Sequence, residues 1–165
     1  MINKKEFISS VHKEIGIIKH LYTKIPAGAL TYRPSEKQRT MLELLQYLSG
    51  IYAAAVKGVR AGNAAPFREG HEKSKSVTAE QFHDLMDAQA KEVEQQIHAM
   101  TEEELAGEVD LWGSGHKTSR SALLLEMLIK MPAAYKMQLF LYIKASGNMD
   151  IGTSDLWRGV SEAKK

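Results

Sequence analysis

Apolar residues three and four apart recur over four long stretches of the chain, and a stripe with that period is stable only when it is buried against other helices. Phe7, Val11, Ile15, Ile18 and Leu21 trace a first helix over about residues 3–24. Thr40 with Glu43 makes a capping-box spacing ahead of Met41, Leu44, Leu45, Leu48, Ile51, Tyr52, Ala55, Val56 and Val59, a second helix that ends at Gly62 and Asn63. Thr78 with Gln81 repeats the spacing before Phe82, Leu85, Met86, Ala90, Val93, Ile97 and Met100. Ser119 or Ser121 opens the fourth, through Leu124, Leu128, Met131, Tyr135, Leu139 and Tyr142 to a Gly147 stop. The expectation is an all-α four-helix bundle in a single domain over residues 1–165.

The segments between the stripes set the connections. Pro26 and Gly28 stop the first helix, and Tyr32-Arg33-Pro34 holds the chain extended because the residue before proline avoids the helical region. Residues 63–77 carry Gly, Pro, Ser, Lys and Glu with Phe67 as their only large apolar side chain, which predicts a long crossover connection across the bundle ends. Thr101 with Glu104 predicts a short turn of helix, and residues 109–115 are at most a short extended piece. Pro132 removes a hydrogen bond inside the fourth helix at a cost of about 3 kcal/mol unless compensated, so a kink is expected near Met131. Leu156, Trp157 and Val160 predict a short C-terminal helix within residues 151–165, packed on the bundle.

Composition removes whole classes of function. The chain has no cysteine, which excludes disulfide scaffolds, thiolate zinc sites, iron–sulfur clusters and thiol nucleophiles. Its 22 Lys and Arg against 20 Asp and Glu give a net charge of +2. That small excess is densest at Lys4-Lys5 and Lys164-Lys165, so no nucleic-acid footprint is present. Ser9, Ser10, His12, Lys13 and Glu14 break any signal-peptide run near the start. The most apolar stretch, residues 122–143, contains Glu126, Lys130, Lys136 and Gln138, which marks a core helix rather than a membrane span. A cytoplasmic protein is expected.

None of the six histidines has metal-site spacing. His12 and His20 are eight apart, roughly 12 Å along a helix, and His83 and His98 are fifteen apart, while His71 and His116 read as loop residues. Glu102, Glu103 and Glu104 are acids that a helix N-terminus favours. Asp110, Ser114 and His116 have the residue types of a hydrolase triad but no nucleophile-elbow sequence, and Gly113-Ser114-Gly115 lacks a Walker ending, so this segment reads as a turn. The fourth helix departs from that pattern. Met131, Tyr135, Gln138 and Tyr142 recur at three and four residues and share a face with Leu128 and Leu139, and Tyr47 lies on the side of Leu44 and Ile51 in the second helix. These five residues are either ordinary core or the lining of a pocket.

Three stretches together carry a resemblance. They are Leu30-Thr31-Tyr32-Arg33-Pro34, then Thr40-Met41-Leu42-Glu43-Leu44-Leu45-Gln46-Tyr47-Leu48, and finally residues 131–147 with Gln138-Leu139-Phe140-Leu141-Tyr142-Ile143-Lys144. In this order they resemble the DinB/YfiT-like superfamily of bacterial four-helix bundles, over nearly the whole chain. That family carries a histidine before a leucine on its second helix and H-x-x-x-H-R-G-Q-L on its last, and the three histidines hold a divalent metal such as nickel or zinc. Aligned on Glu43 to Leu48 and on Gln138-Leu139, the ligand positions are Tyr47, Met131 and Tyr135 in this chain. Phenol and thioether are poor ligands for ions that three imidazoles hold, so the resemblance implies the fold without the metal cofactor.

Three functions follow as expectations. The first is a small-ligand-binding or interaction module. The second is a thiol transferase or hydrolase of the family's kind, metal-dependent through a rebuilt site or using Tyr135 as an acid. The third is a purely structural homodimer; dimerisation is implied by the resemblance, with Trp112 and Trp157 as candidate anchors, and nucleic acid and membrane are not expected partners.

Overall fold

The helix starts marked by capping residues in the sequence are helix starts in the structure, a computed structural model that describes residues 3–162. Lys164 and Lys165, and the opening Met1-Ile2, lie outside the described residues. Helix α1, Lys4–Tyr22, begins where Asn3 and Glu6 bond each other's amides at 2.9 Å. Helix α2, Met41–Ala61, begins at the reciprocal Thr40–Glu43 pair and ends at Gly62, whose φ of 71° is a conformation few other residues adopt.

Helix α3, Ala65–Ser74, lies in the expected connection. Helix α4, Phe82–Ala99, follows a 3-10 turn at Ala79–Gln81 that Thr78 caps, and helix α5, Glu102–Ala106, starts at Thr101. Strands β1, Glu108–Val109, and β2, Thr118–Ser119, form a minimal antiparallel hairpin. Ser119 then caps helix α6, Arg120–Leu125. Helix α7, Met131–Ala145, and helix α8, Thr153–Arg158, complete the chain.

The bundle runs in the cyclic order α1, α4, α2, α7, with α3 on the outside of α2 and α8 against α1. Leu21, Leu44, Leu48, Phe82, Met86 and Leu128 are fully buried between the four long helices. Among the described residues no helix is long and apolar enough to cross a membrane.

Two expectations need correction. Residues 63–77 are not a plain connection, because α3 occupies most of them. A side-chain carbon on Gly58 would sit 2.6 Å from the Phe67 ring, and one on Gly70 would sit 2.9 Å from Ala54. The two glycines therefore let α3 lie closely on α2, and that packing stabilises a ten-residue helix too short and too polar to stand alone. His71 is accordingly a helix residue. At Pro132 the expected kink takes a specific form: Glu126–Lys130 is a π turn in which the Met131 amide donates to the Glu126 carbonyl five residues back. The widened turn takes up the proline without ending the helix.

Polar groups fasten several joints. Asp155 accepts from the Gly152 amide at 2.9 Å, and one of its oxygens lies 2.8 Å from both His20 Nε2 and Ser161 Oγ, which ties α8 to α1. Burial raises its pKa, but these partners outweigh that and hold the carboxyl below its ordinary value. Lys136 and Glu14 form an ion pair at 2.7 Å between α7 and α1. Gln89 of α4 inserts its side-chain amide against the backbone of α2.

Candidate functional site

Residues 131 and 135 are one turn apart on α7, so Met131 and Tyr135 face the same neighbour, and that neighbour is Tyr47 of α2. The Tyr47 hydroxyl donates to Met131 Sδ at 3.9 Å, and the Tyr47 and Tyr135 rings lie 4.8 Å apart with their planes tilted by 59°. All three side chains are half-buried. Gln138 and Tyr142 form an adjacent group. Gln138 Nε2 donates to the Tyr142 hydroxyl at 2.7 Å, that hydroxyl donates to the Arg39 carbonyl at 3.1 Å, and the Tyr32 ring meets Tyr142 edge-on at 5.5 Å. The five candidate residues thus make two groups.

Arg39 joins them, and sequence reasoning missed it. Its guanidinium carbon lies 4.4 Å from the centre of the Tyr47 ring and 5.7 Å from that of Tyr135. Its position directly before the Thr40 cap, one turn upstream of the Glu43 to Leu48 motif, was the available signal. His71 was missed for a different reason: only as part of α3 does its ring come within 6.3 Å of Tyr47. Burial, and then the Tyr135 hydroxyl beside it, push the ionisation of Tyr47 above the ordinary phenol range, with Arg39 opposing weakly. At neutral pH Tyr47 is therefore an uncharged hydroxyl.

The donors gathered here are a phenol, a thioether and a second phenol. They do not fit a divalent ion of the kind three imidazoles hold, since a phenol whose ionisation is pushed up is a weak ligand and the thioether favours softer metals. Among the described residues no group of three or more His, Asp or Glu side chains is arranged to hold a metal. His12 and His98 both approach Glu94, at 3.6 and 3.9 Å, His20 is bonded to Asp155, and His83 packs edge-on to Tyr22.

Asp110, Ser114 and His116 build the hairpin loop. The Asp110 carboxylate accepts the Ser114 and Gly115 amides, which hold its pKa below the ordinary value, and the Ser114 hydroxyl accepts the His116 amide. An open cleft of about 300 Å³ runs between α2 and α3, past Gly50, Ala54 and Gly70, and one of about 570 Å³ lies beside α8 at Asn148, Asp155 and Ser161. Neither is lined by the five candidate residues.

No family model matches the chain. A curated Bacillus subtilis (strain 168) protein, described as the uncharacterized protein YjoA, is 20% identical over 151 residues, 92% of this chain and 96% of its own length. A crystal structure of a DinB-like protein from Bacillus subtilis, also YjoA, matches with a TM-score of 0.70 at 22% identity, covering 89% of this chain and 95% of that one. The all-α fold of this chain is DinB-like.

Proposed function

We propose, from that DinB-like fold, that this chain works without a metal and binds a small ligand where α2 and α7 meet, at Tyr47, Met131 and Tyr135. The observation that supports the reading is the donor set itself: two phenols and a thioether, with Tyr47 touching both of the others, at the positions where the resemblance puts three histidines. Such a surface offers hydroxyls and a polarizable apolar wall, which suits a small organic molecule better than an ion. Metal analysis by inductively coupled plasma mass spectrometry tests the first half. Untagged protein dialysed against zinc and nickel is expected to retain no ion, while a three-histidine bundle of this fold keeps about one per chain. One retained ion per chain would overturn the reading and favour a metal-dependent transferase or hydrolase.

A second role, as a homodimer, is favoured by the outer face of α7. Between residues 131 and 149 the exposed residues are Ala134, Met137, Leu141, Ala145, Gly147 and Met149, with no charge among them, and Leu141 is 55% exposed. The exposed residues of α1 include Lys5, Glu6 and Lys13, and those of α4 include Asp84, Asp87 and Lys91. A two-fold pairing of α7 with its own copy sets apolar surface against apolar surface without burying a charge. Leu141→Lys is expected to turn a dimer into a monomer in sedimentation velocity with an unchanged circular dichroism spectrum. A wild-type chain that sediments as a monomer at tens of micromolar would sink this role.

A further inference from the structure

We propose that the ligand of this site is a small organic anion, held by the guanidinium of Arg39. The proposal rests on the ligand-binding reading above and adds the chemical class to it. Arg39 is pinned at two points. Its carbonyl accepts the Tyr142 hydroxyl, which Gln138 and Tyr32 hold in turn, and its guanidinium lies over the ring of Tyr47 with Tyr135 beside it. No carbonyl, carboxylate or hydroxyl among the described residues accepts a hydrogen bond from that guanidinium.

Of the other arginines, Arg68 and Arg158 are exposed at the surface and three are engaged. Arg120 donates to the carbonyls of Val59, Glu104 and Gly107, Arg60 to Gln96, and Arg33 to the Glu36 carbonyl. Glu43, an acid close enough to feel the charge of Arg39, has its carboxylate on the Thr40 amide at 2.7 Å. Arg39 is therefore a half-buried planar fork with aromatic support and N–H groups that have no acceptor among the described residues. A carboxylate or phosphate matches such a fork with two parallel charge-assisted bonds. Because packing already orders the side chain, little conformational freedom is lost when the anion arrives. The hydroxyls of Tyr47 and Tyr135 flank the fork, and Met131 meets the apolar body.

Calorimetric titration of the untagged full chain with benzoate, benzamide and benzylammonium separates charge from shape, since the three share a ring. Tyrosine-labelled carbon NMR, assigned with Tyr47→Phe and Tyr135→Phe, reports where they bind. Benzoate is expected to bind about tenfold tighter than benzamide and to shift the Tyr47 and Tyr135 signals. Arg39→Gln is expected to abolish that preference while leaving the weak benzamide binding and the circular dichroism spectrum in place. If benzamide or benzylammonium shifts the same tyrosines as strongly as benzoate, or if Arg39→Gln keeps the preference, the anion class falls and the ligand site stands. If none of the three shifts those signals up to roughly 20 mM, the weak end of fragment affinity, the anion class and the ligand-binding reading fall together.

Discussion

Lys136→Met is expected to lower the stability of the fold by about 3–5 kcal/mol, because it removes one partner of a buried ion pair and leaves the other uncompensated. The Lys136 side chain is only 3% exposed and that of Glu14 18%, with 2.7 Å between Nζ and Oε2. Among the described residues the ammonium is the one partner of that carboxylate oxygen, and it also lies 5.2 Å from the ring of Trp157 in α8. One neighbouring group offers little relief. Tyr52 is fully buried, its hydroxyl has no hydrogen-bond partner among the described residues, and burial, then the charge of Glu14, push its ionisation above the ordinary range, so it remains a neutral phenol. Removing both charges is a different experiment. Glu14→Leu combined with Lys136→Met is expected to fall within about 1 kcal/mol of the wild type, since an apolar pair of similar volume needs no compensation. Urea denaturation followed by circular dichroism measures both. A single variant that loses less than the double would show that the pair is not what holds α1 to α7.

The parts of the fold that were legible in the sequence are those encoded locally. Thr40 with Glu43, Thr78 with Gln81 and Thr101 with Glu104 announce helix starts through contacts three residues apart, and the stripes behind them follow the helical period. Helix α3 was not legible because its stability comes from α2: residues 63–77 read as a polar connection, whereas in the fold Gly58 and Gly70 are the places where the two helices touch. Pro132 was legible as a disturbance, but the π turn that absorbs it depends on how Glu126–Lys130 packs. At the candidate site, spacing alone placed Met131 and Tyr135 on one face. Tyr47 was legible as a residue on the side of Leu44 and Ile51 that could face them across the bundle, while Arg39 and His71 come from segments whose position only the assembled bundle fixes.

Gln89 did carry a signal, because it stands at three from Met86 and four from Val93 on the apolar stripe of α4, where a polar residue has to earn its burial. Its Oε1 accepts the Tyr52 amide at 2.9 Å and the Ala53 amide at 3.3 Å, and its Nε2 donates to the Leu48 carbonyl at 3.0 Å. Leu48 and Tyr52 stand one turn apart in α2, so the side chain of one bundle helix bonds the backbone of another. Nearby, Ser49 Oγ donates back to the Leu45 carbonyl at 2.8 Å, a second polar group within the same two turns. Gln89→Ala is expected to destabilise the fold by about 2–4 kcal/mol, from the buried hydrogen bonds to the α2 backbone that it removes and from the cavity left behind. Gln89→Glu separates the two ends of the amide: it keeps an acceptor for the Tyr52 and Ala53 amides but sets a carboxylate oxygen against the Leu48 carbonyl, and it is expected to cost at least as much at neutral pH. Hydrogen exchange at the Tyr52 and Ala53 amides, faster in Gln89→Ala than in the wild type, locates the effect in α2. Unchanged exchange there, with the same loss of stability, would assign Gln89 to packing alone and leave the ladder of α2 complete without it.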